Sequence, residues 1–171
     1  SYMDCSLLGR AKTEGKISLT RALARSTDTF FYKLGEIVGV VSLARWANNF
    51  GFGKITNIDL PGEVSGLVPT PEWKQEVKKE AWFLGNTYHL AIGQGDLAVT
   101  PIQVNQEISA IASGKFCKPK VIGDSECEEL KVKKENLKEV KNGMLMACQE
   151  GGTGYPFFNF KPQVACKTGT A

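Results

Sequence analysis

The 171-residue chain carries 21 lysine and arginine residues against 18 aspartate and glutamate residues and one histidine, which gives a formal net charge of +3. So small a basic excess does not indicate a nucleic-acid-binding protein. No apolar run approaches the roughly 20 residues needed to cross a bilayer, and a single histidine excludes a multi-histidine metal site. The length suits one domain of ordinary size. We therefore expect no nucleic acid, no metal and no cofactor.

Apolar residues recur with helical spacing between residues 18 and 38, and the polar triplet Ser26-Thr27-Asp28 interrupts them. Ser, Thr and Asp are the residue types that cap helices. One helix is therefore predicted to end at the triplet, and a second to begin near Thr29. From the triplet alone, a plain N-cap is a simpler interpretation than a catalytic role.

The next segment alternates between helix and loop. An amphipathic helix is predicted over residues 40–50, ended by Gly51 and Gly53. Residues 58–73 contain turn-forming pairs without a helical period, which predicts a surface loop. The charged run from Lys74 to Glu80 is most simply a solvated helical turn or a mobile loop.

The second half begins with a Gly-rich turn at residues 90–96, which matches neither the dinucleotide nor the phosphate-loop pattern and so does not indicate nucleotide binding. Thr100, Pro101 and Gln103 form a strong helix-start signal, and Gly114 predicts the end of that helix. A short strand is predicted at residues 120–122 within a polar stretch. A last helix is predicted over residues 137–148, stopped by a pair of glycines.

The chain closes on a segment that suits an anion. Val164 and Ala165 predict a short buried strand, and a lysine with two threonines, Lys167, Thr168 and Thr170, follows it. A cation and two hydroxyl donors would thus lie along one strand edge. Gly169, which has no Cβ, would let a ligand backbone approach that strand closely.

Five cysteines cannot all pair within the chain. Cys117 and Cys127 bracket a short polar loop, and Cys148 and Cys166 flank a Gly-rich turn, so two local disulfides would form in an oxidising compartment. The alternative is that Cys148 and Cys166 are small buried apolar residues. Spacing alone does not decide between these interpretations.

Taken together, the motifs resemble the transpeptidase domain of class B penicillin-binding proteins, and most closely the elongation-type branch that works with the rod-shape machinery. The resemblance covers nearly the whole chain, because the motifs occur in the family's order and spacing. They are Ser26-Thr27-Asp28 with the following Thr29 to Gly35, Gly51-Phe52-Gly53 leading to Ile58 to Glu63, Ile92-Gly93-Gln94-Gly95 leading to Thr100 to Gln103, and Lys167 to Ala171.

The resemblance implies a fold and a reaction. The fold is the serine β-lactamase/transpeptidase-like fold, of which this chain would be a mainly α fragment of an α/β domain: the helical subdomain plus the first motif strand. The reaction is acyl transfer on a D-Ala-D-Ala stem peptide of peptidoglycan, in which a serine forms an acyl-enzyme and an amine of a neighbouring stem peptide resolves it. We expect the helices to expose apolar faces, since the remaining sheet strands are expected outside residues 1–171.

The resemblance also assigns roles to individual residues. Ser26 would relay a proton towards the leaving nitrogen, and Lys167 would supply positive charge. Thr168 and Thr170 would bind the substrate carboxylate, the Thr170 N–H would be one oxyanion-hole donor, and Gly169 would leave room for the substrate strand. Asp28 departs from the Asn of many relatives. An ionised carboxylate only accepts hydrogen bonds, so Asp28 is expected to hold a catalytic lysine instead of a substrate amide.

One part of the family pattern is missing. No serine has a lysine three positions later, so the SxxK motif with the nucleophile and first general base is not in this chain. We therefore expect residues 1–171 to be part of a transpeptidase domain, with the SxxK region upstream and further sheet strands downstream. The chain by itself is predicted to be poorly stable and inactive.

The same resemblance implies partners and a location. The partners are peptidoglycan stem peptides, β-lactams, a rod-shape glycosyltransferase and other elongation proteins. The location is the extracytoplasmic face of the cell membrane, with an anchor helix outside the chain. Two alternatives remain at this point: a non-catalytic scaffold of the wall-synthesis complex, and a related β-lactamase or D,D-carboxypeptidase.

Overall fold

A computed structural model describes the backbone of residues 2–4 and the complete residues 14–169. The described residues form two compact units. One comprises residues up to Lys33 together with those from Val132 onwards, and the other comprises Leu34–Lys131. Helices provide most of the regular structure and the strands are three residues long, which confirms the mainly α prediction.

In the first unit, a short antiparallel pair leads into two packed helices. Strand β1 (Tyr2–Asp4) pairs with β2 (Lys16–Ser18), with Met3 opposite Ile17. Helix α1 (Leu19–Arg25) follows directly and packs on α7 (Lys134–Ala147).

The α1–α7 packing is close because the residues at the contact are small. A Cβ at Gly143 of α7 would lie 2.8 Å from Leu23 Cδ2 of α1. Ala22 and Ala147 are both fully buried there, with Met144 7% exposed. A larger residue at position 143 would therefore push the two helices apart.

The predicted break near the Ser-Thr-Asp triplet is confirmed, since α2 (Asp28–Val38) begins two residues after Ser26. Gly39 separates α2 from α3 (Val40–Asn49), with a φ of 78° that a residue with a side chain adopts only with strain. The bounds of α3 agree with the amphipathic helix predicted over residues 40–50.

In the second unit, helix α6 (Pro101–Ser113) starts as the sequence predicts. The Thr100 hydroxyl accepts from the Gln103 N–H, the Gln103 side chain accepts from the Thr100 N–H, and Gly114 ends the helix with a φ of 80°. Gln103 is also fully buried, and its amide donates to the carbonyls of Lys54 and Ser65 at 2.7 and 2.8 Å. Gln103 thereby ties the backbone at Lys54 and Ser65 to the first turn of α6.

One local prediction in the second unit is wrong, and one helix was not predicted. Helix α5 (Leu84–Ala91) stands where no helix was predicted, and no strand forms at residues 120–122. The Asp59 carboxylate instead accepts the N–H groups of Val121 and Ile122. The strands of this region are β3 (Lys115–Cys117) and β4 (Cys127–Glu129), which form an antiparallel pair.

The charged run after helix α4 (Pro71–Trp73) forms a largely exposed helical turn, as predicted, but one of its lysines is buried. Residues Lys74–Lys78 form a π-helical turn, and Lys74 is only 6% exposed. Its ammonium group lies 3.1 Å from the Asn86 side-chain oxygen and 3.3 Å from the Glu80 carboxylate. The buried cation is retained because both partners compensate the loss of water.

The loop predicted over residues 58–73 extends to Thr70, where α4 begins, and lies largely at the surface, although Val68 and Pro69 are buried. Exposed apolar side chains were also predicted, and both units have them. Examples are Tyr155 in the first unit, which is 78% exposed, and Val41 and Ile122 in the second, which are 72% and 81% exposed.

Candidate active site

The segment before Lys167 is not the buried strand that the sequence predicts. No regular structure is present over residues 163–169, Val164 is half-buried and Ala165 is exposed. The Cys166 N–H donates to the Met144 carbonyl at 3.0 Å, and Cys166 is disulfide-bonded to Cys148. Adjacent apolar residues suggested a strand, but among residues 14–169 the backbone partner is the end of α7.

Ser26 ends α1 in a conformation that serines rarely adopt. Its φ and ψ are 53° and 51°, in the left-handed region. The Ser26 N–H donates to the Leu23 carbonyl at 3.3 Å and the Thr27 N–H to the Ala22 carbonyl at 3.0 Å, which together form a Schellman motif. Glycine is the usual residue at this position, so Ser26 caps the C-terminus of α1 and is not the plain N-cap that its residue type suggested.

Lys167 joins the two predicted motifs. Its ammonium group donates to the Ser26 Oγ at 2.9 Å and to the Thr168 carbonyl at 2.8 Å. Ser26 and Lys167 are 141 positions apart in the sequence, so only the fold brings them together. A hydroxyl that accepts from an ammonium group keeps its own proton available for donation to a third atom.

Two opposing effects act on the charge of Lys167. Partial withdrawal of the ammonium group from water lowers the pKa of Lys167, and the negative charge of Asp28 raises it, with the first effect the larger. Asp28 is exposed at the start of α2. The negative charge of its carboxylate favours the charged form of Lys167.

Thr168 lies beside Thr153, a residue that belongs to none of the sequence motifs. Its hydroxyl is 3.0 Å from the hydroxyl of Thr153, in the loop that follows α7. Gly169 is exposed, and an added Cβ there would meet nothing within 4 Å, so the segment is open at that point. Thr170, predicted as carboxylate ligand and oxyanion-hole donor, lies outside the described residues.

Both local cysteine pairs are disulfides in the structure. Cys117 and Cys127 join β3 to β4 across a sequence separation of 10, and Cys148 and Cys166 are joined across a separation of 18. Cys148 is also buried, so the two interpretations of that residue are compatible. Cys5 lies outside the described residues.

Residues 14–169 contain no group of three His, Cys, Asp or Glu side chains that could hold a metal ion. Over the same described range, every helix is too short or too polar to span a bilayer. What the site does offer is a lysine ammonium group, two threonine hydroxyls and a serine hydroxyl within one unit of the structure. Such a set can bind an anion and move a proton at the serine oxygen.

Comparison with known proteins gives one consistent family. The model of the penicillin binding protein transpeptidase domain matches residues 8–171. The peptidoglycan D,D-transpeptidases MrdA of Salmonella typhimurium and Escherichia coli K12 are each 34% identical to the chain over 92% of its length. The chain spans only 28% and 27% of those two proteins.

Solved structures agree with the family match. PBP2 of Helicobacter pylori, determined in complex with MreC, has a TM-score of 0.85 and 33% identity over 92% of this chain and 31% of its own. PBP2 of Pseudomonas aeruginosa, in complex with WCK 5153, has a TM-score of 0.73 and 32% identity over 85% of this chain and 36% of its own.

Proposed function

The chain belongs to the penicillin binding protein transpeptidase family, as its motifs predicted, and we propose that it supplies part of the active site of a peptidoglycan D,D-transpeptidase active in cell-wall elongation. The observation that carries this proposal is the 2.9 Å hydrogen bond from Lys167 to Ser26. It joins the family's second and third motifs in one site. The first motif, SxxK with the nucleophile, would come from a segment outside residues 1–171.

The proposed reaction proceeds through a serine ester. The SxxK serine attacks the penultimate D-Ala carbonyl, its proton passes to the nitrogen of the terminal D-Ala, and that residue leaves. An amine of a neighbouring stem peptide then attacks the ester, forms the cross-link and releases the serine. Ser26 relays the proton to the leaving nitrogen, since its oxygen accepts from Lys167 while its own proton remains available.

The charge of Lys167 serves the reaction in two ways. It stabilises negative charge that develops on the oxygen of the nucleophile, and it attracts the terminal carboxylate of the substrate. Asp28 supports the charged form, because its carboxylate raises the pKa that burial lowers. In this arrangement Asp28 acts on the lysine and not on a substrate amide.

The substrate carboxylate is the proposed ligand of the Thr168 and Thr170 hydroxyls, with the Thr170 N–H as one donor to the oxyanion. Gly169, where an added Cβ would meet nothing, leaves space for the peptide strand. The oxyanion hole would be completed by the N–H of the nucleophile. Loss of one such donor costs about 3 kcal/mol in transition-state stabilisation.

The partners and location follow from the same proposal. The protein would act on stem peptides, react with β-lactams, and work with a rod-shape glycosyltransferase and other elongation proteins. Its catalytic domain would lie on the extracytoplasmic face of the cell membrane. Two disulfides within residues 14–169 support that side, because disulfides persist in oxidising compartments.

Mass spectrometry of the complete protein after incubation with benzylpenicillin tests the proposal. The expected result is one stable penicillin adduct on the serine of an SxxK motif outside residues 1–171, and a much slower reaction in the Lys167→Ala variant. A folded protein that forms no adduct would favour the scaffold function. Rapid hydrolysis of the penicillin would favour a β-lactamase.

A further inference from the structure

One residue of the loop between α7 and Lys167, Thr153, touches the site without belonging to any of its motifs. The Thr153 hydroxyl lies 3.0 Å from the Thr168 hydroxyl and 3.5 Å from the Ala24 carbonyl oxygen. It thus stands between the C-terminus of α1, two residues before Ser26, and the residue proposed to bind the substrate carboxylate.

The loop around Thr153 is held in place from both sides. The Arg25 guanidinium group donates to the Gly151 carbonyl at 2.9 Å and to the Glu14 carboxylate at 2.8 Å. On the other side, a Cβ at Gly154 would lie 2.5 Å from the Cys166 Sγ, so the loop passes directly over the disulfide. The position of Thr153 is therefore defined by contacts that do not involve its own side chain.

The two distances decide how the hydroxyl protons are arranged. Each threonine hydroxyl has a single proton to donate. The contact with the Ala24 carbonyl is at the outer limit of a hydrogen bond, whereas the contact with Thr168 is well within it. When Thr153 donates to Thr168, the proton of Thr168 is free to point at another acceptor.

An ionised carboxylate offers acceptors only, so it requires such a free donor. We propose that Thr153 is a positioning residue that donates its hydroxyl proton to Thr168 and thereby directs the Thr168 proton at the substrate carboxylate. This inference rests on the proposed function. Thr153 itself does not touch the substrate and acts only through Thr168.

The test compares Thr153→Val, which keeps the shape and removes the donor, with Thr153→Ser, which keeps the donor. In the complete protein, benzylpenicillin should acylate the Val variant about threefold to tenfold more slowly than wild type, and the Ser variant at nearly the wild-type rate. The ratio of the acylation rates with benzylpenicillin carboxylate and with its methyl ester should fall in the Val variant, because hydrogen bonds to a charged acceptor are stronger than those to a neutral one.

Three outcomes would overturn the inference: a Val variant that reacts at the wild-type rate, a Ser variant as slow as Val, or equal losses with the acid and the ester. Thr153→Ala serves as a second donor-free variant if the Val variant does not fold. A folded wild-type protein that takes up no penicillin would overturn the proposed function and this inference with it. Acylated wild type with an unaffected Val variant overturns only the inference.

Discussion

Removing the disulfide Cys148–Cys166 should change both stability and the site, whereas removing Cys117–Cys127 should change stability alone. The two bonds close segments of similar size, with sequence separations of 18 and 10. Loop-closure entropy gives each bond about 3 kcal/mol of stabilisation, slightly less for the shorter segment. The double Cys→Ala variants of the complete protein are therefore matched in stability cost and differ in location.

Their locations predict different effects on acylation. Cys166 immediately precedes Lys167, and its disulfide and its N–H both tie that segment to the end of α7. Without the disulfide, the Cys166 backbone keeps its 3.0 Å hydrogen bond to the Met144 carbonyl but loses its covalent link to the end of α7. Small displacements of a positioning group can cost up to about a hundredfold in rate, so a tenfold or greater loss is expected.

The assay is the second-order rate of benzylpenicillin acylation, measured together with the melting temperature. Each double variant should melt lower by roughly 6–12 °C if the domain behaves like one of 150–250 residues. Only the Cys148→Ala/Cys166→Ala variant should also lose acylation rate. If both variants show the same fall in melting temperature and both react like wild type, the disulfide does not position Lys167.

Two further predictions concern the residues around Lys167. Ser26→Gly and Ser26→Ala both remove the hydroxyl and should slow acylation at least about a hundredfold. The Gly variant should be about 1 kcal/mol more stable than the Ala variant, because φ is 53° at that position. Equal melting temperatures of the two variants would show that the backbone there is not strained. Asp28→Asn removes the charge that raises the pKa of Lys167, so that pKa falls further and the alkaline limb of the pH–acylation profile moves to lower pH. An unmoved limb would show that Asp28 does not control this lysine.

Local sequence signals predicted the helices whose ends are fixed by residues close together in the sequence. The cap at the start of α6 is an example, because Thr100 and Gln103 bond to each other across three residues. Helix α5 was not predicted because its local sequence signals for a helix are weak. Its first turn contains Gly85, Asn86 and Thr87, which are poor helix formers, and its start depends on the Asn86 side chain accepting the Phe83 N–H.

The environment of a charged residue was harder to predict than the helices. Lys74 occurs in a run that is otherwise exposed, and its burial depends on Asn86, 12 positions further along the chain. Nothing in the composition of the run distinguishes the one lysine that is buried. Its selection is a consequence of where α5 lies, and α5 itself was not predicted.

The site shows the same limit more sharply. The residue types of Ser26 and Lys167 could be noticed in the sequence, and the family resemblance assigned both to one site. Their 2.9 Å contact spans 141 positions and was not predicted. Thr153 had no motif to identify it, and its contact with Thr168 depends on the path of a loop fixed by Arg25 and a disulfide. Residues that carry motifs can thus be found from sequence, whereas residues that position them are found only where the chain returns to the site. Substitution of Thr153 therefore tests a role that follows from the structure and could not be predicted from the motifs alone.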